Sequence, residues 1–389
     1  MTEQRKNGPM TERTDLAKIG LTAELIGPLQ FPNPIANNNH RQNLQEHSSK
    51  LQNHIAVVAT NTHDLKETGF GSIETCRFFY DALKEKYQTV TFHEISSISS
   101  LNDIVTSKPD LVVLCSKYFL DVSNNTKTWF SDYFSEHAIA FTGSDRNSLE
   151  FDSNKGKAKT AIQNHGIATA KFFQACPGQF ETEDKLPLFL PLFVKPIDAA
   201  NGNGIDENSI VRDFESYQSK VKELFESYGA DVLVEEVLPG REFTVAIFDD
   251  PETDSRSIMP VEIIVPKNEK GDRILGCAAK QKNHELLRTI TEPTLSAVSE
   301  LAGSAFTALG VKSFGRIDIK LDAEGNPNFL EANLVPGMTP DSSYFPRACS
   351  LQTGSKSKTN RLSAMTHSEV ALKIVELGLN RINILQQVG

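Results

Sequence analysis

Gly315-Arg316-Ile317-Asp318-Ile319-Lys320-Leu321, answered a few residues later by Pro327-Asn328-Phe329-Leu330-Glu331-Ala332-Asn333, is the stretch that decides the fold. Both runs alternate in polarity, and Glu324-Gly325 lies between them, which reads as an antiparallel hairpin on a two-residue turn. That register sets Asp318 opposite Glu331 and Arg316 opposite Asn333, all on one face, because strand side chains repeat every second residue.

Two carboxylates facing each other destabilise a strand pair unless a cation lies between them. Asp318, Glu331 and the amide oxygen of Asn333 are the hard oxygen ligands that Mg²⁺ accepts alongside phosphate oxygens, so a Mg-nucleotide site is expected here. The alternative from spacing alone is a solvated hairpin face, with a bulge at the Glu-Gly turn shifting the register.

Working outward, Pro293 and Gly310 bracket a helix with apolar positions Leu295, Val298, Leu301, Ala305 and Leu309. Ile210, Phe214, Tyr217, Val221, Leu224 and Tyr228 trace another helical face, followed by a strand over 233–238. Phe193-Val194-Lys195-Pro196 reads as a strand edge, and Asn201-Gly202-Asn203-Gly204 as a flexible turn. Lys155 to His165 reads as a helix closed by Gly166. Earlier still, apolar runs at 55–60 and 110–116 flank a helical stretch from Ser72 to Lys86, and a third short run covers 138–141. Strand-helix-strand alternation implies an open parallel sheet. The first 54 residues carry no sustained period and are expected to be a mobile extension.

The chain has 389 residues, enough for two to three domains. With Lys+Arg at 40 and Asp+Glu at 50, its formal charge of −10 argues against nucleic acid and anionic membrane as partners. Five scattered cysteines form neither a CxxC nor a Cys/His cluster, so reduced thiols in a cytoplasmic protein are expected. Met1 to Asp15 is polar where a signal peptide needs an apolar block, and the most apolar run, 186–194, is too short to span a bilayer.

Taken jointly, Val194-Lys195-Pro196, the run from Val234-Glu235-Glu236-Val237 through Gly240-Arg241-Glu242 to Val245, Gly315-Arg316-Ile317-Asp318, and the run from Glu331 to Thr339 resemble the ATP-grasp ligases, and most closely their D-alanine–D-alanine ligase branch. The resemblance covers roughly residues 140 to 350 and implies an α/β chain, an ATP-grasp fold with an N-terminal open parallel-sheet domain. The expected boundaries are 1–54 for the extension, 55–154 for the N-terminal domain, 155–234 for the central ATP-grasp subdomain and 235–389 for the C-terminal one, which carries the metal and substrate site.

By the resemblance, Lys155 and Lys195 hold the nucleotide phosphates, with Asn201, Gly202, Asn203 and Gly204 folding over them. Lys155 could equally be helix surface beside Lys157 and Lys159. Glu235 and Val237 offer backbone groups to adenine, Glu242 accepts from the ribose, and Glu236 is solvated. Lys280 is the further phosphate lysine, with Lys282 on the same alternate face. Asp318, Glu331 and Asn333 ligate Mg²⁺, or Mn²⁺ in its place. Arg316 and the Gly337 amide face a developing oxyanion, and Ser342 with Ser343 stands where the family holds a substrate carboxylate, unless the two serines form a plain turn.

The implied reaction activates a carboxylate with ATP as an acyl phosphate, which an amine then attacks, giving an amide, ADP and phosphate. The family's substrate-locating triad has no clear counterpart: Ser72 is kept, Glu67 and Glu74 are ambiguous stand-ins for its glutamate, the phosphate loop has Asn201 and Asn203, and Gln281 follows Lys280. The expectation is therefore a ligase joining an amino acid or amino-acid-like acid to an amine. The alternatives are D-alanine–D-alanine ligase itself, and an ATP-grasp phosphotransferase or a non-catalytic nucleotide-binding protein. Small-molecule acid and amine are the expected partners, and a homodimer is compatible with the resemblance.

Overall fold

The computed structural model of the chain describes residues 50–60, 69–121, 123–200, 202–276, 285–352 and 364–388, which fall in the unit spanning Ser49–Gly389. Glu67, Asn201, Lys280, Gln281, Lys282 and almost all of the expected N-terminal extension lie outside the described residues.

β1 (Leu51–Thr60), α1 (Ile73–Lys86), β2 (Tyr87–Ile95), α2 (Ile98–Ser107) and β3 (Leu111–Leu114) build a three-stranded parallel sheet in the order β2-β1-β3. Residues 55–60 of β1 are all buried, as a central parallel strand covered on both faces requires. The Ser72 hydroxyl accepts from Thr75 N at 3.2 Å and so starts α1. β2 escaped the sequence reading because, as an edge strand, it is largely polar and half-exposed. The run at 138–141 adds one parallel bridge, Phe141 to Val112.

A hairpin of β4 (Tyr118–Asp121) and β5 (Thr126–Trp129) leads through α3 (Phe130–Glu136) to α4 (Arg146–Ser153) and α5 (Lys155–Asn164). Asn154 caps α5, its side chain accepting from Lys157 N at 2.9 Å, and Gly166 beyond its end takes a left-handed φ of 70°.

The second sheet is antiparallel: β6 (Phe172–Ala175), β7 (Leu192–Pro196), β8 (Ile210–Val211) and β9 (Val232–Glu236) lie in the order β6-β9-β7-β8, with α6 (Phe214–Tyr228) on one face. Leu192, Val194, Tyr217, Val221 and Val234 belong to a core that this sheet shares with no other.

β10 (Glu242–Asp250), β11 (Ser255–Ile264), β12 (Leu286–Thr289), α7 (Thr294–Ala308), β13 (Phe314–Leu321) and β14 (Pro327–Asn333) supply a five-stranded antiparallel sheet in the order β12-β11-β10-β13-β14. α8 (Tyr344–Ser350) and α9 (His367–Val388) complete it. Its core runs on into the first sheet: Phe70 stacks at 5.1 Å from Phe79 and 6.3 Å from Phe314, which in turn meets Phe345 at 6.1 Å. The first and third sheets are thus packed as one mass, and the second rests on its own core.

Three expectations change. The hairpin of β13 and β14 pairs Asp322 with Asn326, so its loop holds three residues, with Gly325 at φ 88°, and not two. Leu330 then bulges out of β14, and the two one-residue departures cancel: Arg316 still pairs with Asn333 and Asp318 with Glu331. Pro196 suggested an edge, yet β7 lies between β9 and β8; the two-residue β8 ends its pairing at Leu192 and Phe193, so the missing N–H of Pro196 costs no ladder bond there. Ile210 sits in β8 and not on the helix, because Asp213 caps α6 by accepting from Ser216 N at 2.8 Å.

Candidate active site

α5 delivers two lysines inward. Lys155 donates to Ala199 O at 2.6 Å and stands 3.6 Å from Glu331 Oε2, while Lys157 on the opposite face is 61 % exposed. Lys159, one helical turn on, is fully buried and donates to the Thr169 hydroxyl at 2.7 Å. The helix-surface reading of Lys155 therefore gives way to an i, i+4 pair on the buried face. Lys159 was missed as a site residue although that spacing pointed to it.

Glu235, on β9, lies between Lys159 and Lys195, with Oε1 and Oε2 each 2.8 Å from one ammonium. Burial pushes its carboxyl up, but the two lysines outweigh that and hold it below the usual carboxylate range. For Lys195, burial opposes the charge and Glu235 with Glu331 overcomes it, leaving the ammonium above its ordinary value. Lys159 goes the other way, since burial exceeds what Glu235 returns. One carboxylate against two lysines leaves a local surplus of positive charge, suited to a phosphate.

Lys195 and Glu235, with Lys159 buried behind them, line a cavity of about 310 Å³ between the second and third sheets, shared with Lys155, Gly202, Asn203, Val237, Glu242, Asp318 and Glu331. Its far wall is the connector Glu236 to Gly240 between β9 and β10. Glu236, expected to be solvated, is half-buried and accepts from Lys171 N at 2.8 Å. Glu242 is held by Lys320 at 2.9 Å. Gly204 does not line the cavity; a Cβ there would come within 2.5 Å of Pro196 Cγ, and its φ is 75°. That glycine lets the loop pack on β7.

On the hairpin, Arg316 makes a two-pronged pair with Asp318, Nε to Oδ1 and Nη2 to Oδ2, both at 3.0 Å. The Thr244 hydroxyl donates to Oδ1 at 2.7 Å and Asn333 Nδ2 to Oδ2 at 3.2 Å, leaving the Asn333 carbonyl oxygen for another partner. Burial raises the Asp318 carboxyl, Arg316 pulls against it, and Glu331 adds to the rise. Two carboxylates facing each other across the ladder, beside an Asn333 amide oxygen that takes no donor among the described residues, are the hard oxygen ligands that suit a divalent cation. Among the described residues no cluster of three His, Cys, Asp or Glu forms, so the amide is needed to complete the set.

Past β14, a Cβ on Gly337 would meet Ser343 Oγ at 2.8 Å, so a larger residue there would displace that hydroxyl. Ser343 Oγ accepts from Thr339 N at 2.9 Å, and Ser342 N turns back on Pro340 O at 2.8 Å, so both serines take part in a turn. Ser342, Ser343, Arg316, Asn333 and Gly337 stand outside the cavity lining, at the hairpin's end of the site. A chain of hydroxyls crosses to the first sheet: Ser72 to Thr75 at 3.2 Å and Thr75 to Thr339 at 3.1 Å. Glu74 is exposed.

Two antiparallel sheets closing on a lysine-rich cavity, with a carboxylate-amide face on the hairpin, define an ATP-grasp fold. A D-alanine–D-alanine ligase of Bacillus anthracis, solved as its ATP complex, overlays with a TM-score of 0.64 over 87 % of this chain and all of its own, at 19 % identity. The corresponding protein of Coxiella burnetii gives 0.59 over 87 % and 97 %, at 17 % identity. Residues 161–359 match the family model described as D-ala D-ala ligase C-terminus. The D-alanine–D-alanine ligase of Methylacidiphilum infernorum is 30 % identical over 336 residues, 85 % of this chain and 97 % of that protein. That of Geotalea uraniireducens is 31 % identical over 208 residues, 54 % and 64 % of the two chains. The chain belongs to the D-alanine–D-alanine ligase family, and is thus an ATP-dependent enzyme that forms C–N bonds.

Proposed function

We propose that this protein activates the carboxylate of a small amino acid with ATP and joins it to the amine of a second, D-alanine being the reference substrate because its relatives carry that name. ATP and Mg²⁺ are its cofactors. The observation that carries the reading is the meeting of Lys155, Lys195, Asp318 and Glu331 around one cavity, with Arg316 and Asn333 beside it.

In this reading Lys155 and Lys195 hold phosphate oxygens, Gly202 and Asn203 approach them through the backbone, Val237 and Glu235 present main-chain groups to the base, and Glu242 accepts from the ribose. Asn201 and Lys280 take part as the resemblance implies. Asp318, Glu331 and Asn333 would hold Mg²⁺, or Mn²⁺ in its place; bound there, the ion neutralises phosphoryl charge. Arg316 and the Gly337 N–H stabilise the oxyanion that forms as the amine attacks. Ser342 and Ser343, although they form a turn, keep hydroxyl O–H donors for a substrate carboxylate. The second sheet with α6, residues 172–236, closes as a body on the third, since its core is separate.

A second reading, other amino acids as substrates, is favoured because Ser72, Thr75 and Thr339 bond one another while Glu74, a stand-in for the family's substrate-locating glutamate, is exposed. No helix among the described residues is long and apolar enough to cross a membrane. Cytoplasmic residence and a homodimer complete the proposal.

Phosphate release from Mg-ATP with single and paired D- and L-amino acids, with mass spectrometry of products, tests it. A product equal in mass to two substrates less water is expected. D-alanine alone sufficing selects the first reading, and mixed pairs the second. A phosphorylated acceptor, or no turnover, would overturn the ligase assignment.

A further inference from the structure

The segment leaving β14 is hung on one carboxylate. Asp152 of α4 accepts from Leu334 N at 2.6 Å and from Val335 N at 3.2 Å, both on Oδ2. Its other oxygen takes Lys117 Nζ at 3.0 Å, and that ammonium also donates to Ser153 Oγ at 3.2 Å. The Lys117 and Asp152 side chains are 4 % and 10 % exposed. A buried carboxylate is stable only when a cation and donors accompany it, and here both are supplied.

Two further backbone donors of the segment are also engaged. Pro336 has no N–H; Met338 N donates to Phe70 O at 2.7 Å and Thr339 N to Ser343 Oγ at 2.9 Å. His367 Nε2 lies 2.6 Å from Met338 O. Among the described residues, Gly337 N–H is the one donor between 334 and 339 that has no partner.

We infer that Asp152, fixed by Lys117, is a positioning residue that aims the Gly337 N–H at the reacting carbonyl and keeps Asn333 in register at the same time. The inference rests on the proposed roles of Gly337 and Asn333. Two consecutive amides pinned to one oxygen set the direction of the chain between those residues, and the ammonium of Lys117 ties the carboxylate to the first sheet's side of the site. An N–H offered to an oxyanion acts only if it is already in place.

Asp152→Ala is expected to lower kcat about 10- to 100-fold while KM for Mg-ATP stays within about twofold. Asp152→Asn made together with Lys117→Gln, in which the amide oxygen still accepts both N–H groups and the new amide N–H₂ meets a carbonyl where it would otherwise face the ammonium, is expected to recover most of kcat. Hydrogen exchange at Leu334 and Val335 should quicken in the alanine variant and not in the asparagine variant. Unchanged exchange in Asp152→Ala overturns the inference whatever the activity, and so does faster exchange with kcat unchanged. If Asp152→Ala does not fold, the paired Asp152→Asn, Lys117→Gln variant decides: protected amides with kcat within about threefold support the inference, and a loss of about tenfold or more overturns it. Wild-type protein that releases no phosphate with any amino-acid pair fails the ligase reading, a separate result from the exchange rates.

Discussion

Lys155 Nζ stands 3.6 Å from Glu331 Oε2, so the lysine proposed for phosphate and the carboxylate proposed for metal are each other's counter-ion. Arg316 and Asp318 repeat the arrangement at 3.0 Å. Both carboxylates are paired with cations of the chain, and in the proposed roles a bound nucleotide would draw Lys155 away from Glu331.

Metal and nucleotide should therefore bind with mutual support. Mn²⁺ alone, followed by its paramagnetic signal, is expected to bind weakly and to tighten about tenfold or more with an ATP analogue present, a coupling of ordinary size. Lys155→Met should strengthen binding of Mn²⁺ alone and weaken the analogue. Equal Mn²⁺ affinity with and without nucleotide would refute this coupling.

Glu331→Gln keeps the shape of the site and removes one charge from the proposed metal set. Turnover should fall by about a hundred- to a thousandfold, the scale of losing an electrostatic stabiliser of the transition state, with the protein still folded. Retained turnover in Mg-ATP would move the metal site elsewhere.

The Lys159–Glu235–Lys195 cluster predicts a stability effect. Glu235→Ala leaves two buried lysines without their carboxylate and should cost about 3–5 kcal/mol in urea unfolding. Lys159→Met, which keeps the Glu235–Lys195 pair, should cost less. The opposite order would show that Lys159 is the anchor of the cluster.

Acid should act through the same carboxylate. The folded pKa of Glu235 lies below its unfolded value, so its contribution is complete above the unfolded pKa, about 4.3, and is lost as pH falls through the folded one. The decline of stability below about pH 4.3 should be shallower in Glu235→Gln than in wild type. Parallel curves would remove Glu235 from the acid response.

Gly204→Ala puts a Cβ against Pro196 at a left-handed φ and should destabilise by more than about 1 kcal/mol, with a raised KM for Mg-ATP. Gly166, with nothing within 4 Å of its Cβ, tests the φ cost alone and should leave KM unchanged. Equal KM in both variants would separate the loop from nucleotide binding.

The hairpin's acid-amide face, the helices at 155–164 and 294–308 and the parallel first sheet were all legible in the sequence, because alternation and helical spacing report directly which side of an element is buried. The facing of Asp318 and Glu331 was legible too, although it survives through a longer turn and a bulge at Leu330 that compensate each other. Only the tertiary structure decided which ions pair. Lys159 meets Glu235 across two elements, and Asp152 meets Leu334 from 182 positions away. Periodicity encodes the direction of burial; a buried charge's partner is set by how separate elements pack, since burial is tolerated only where an opposite charge or donor arrives from elsewhere in the chain.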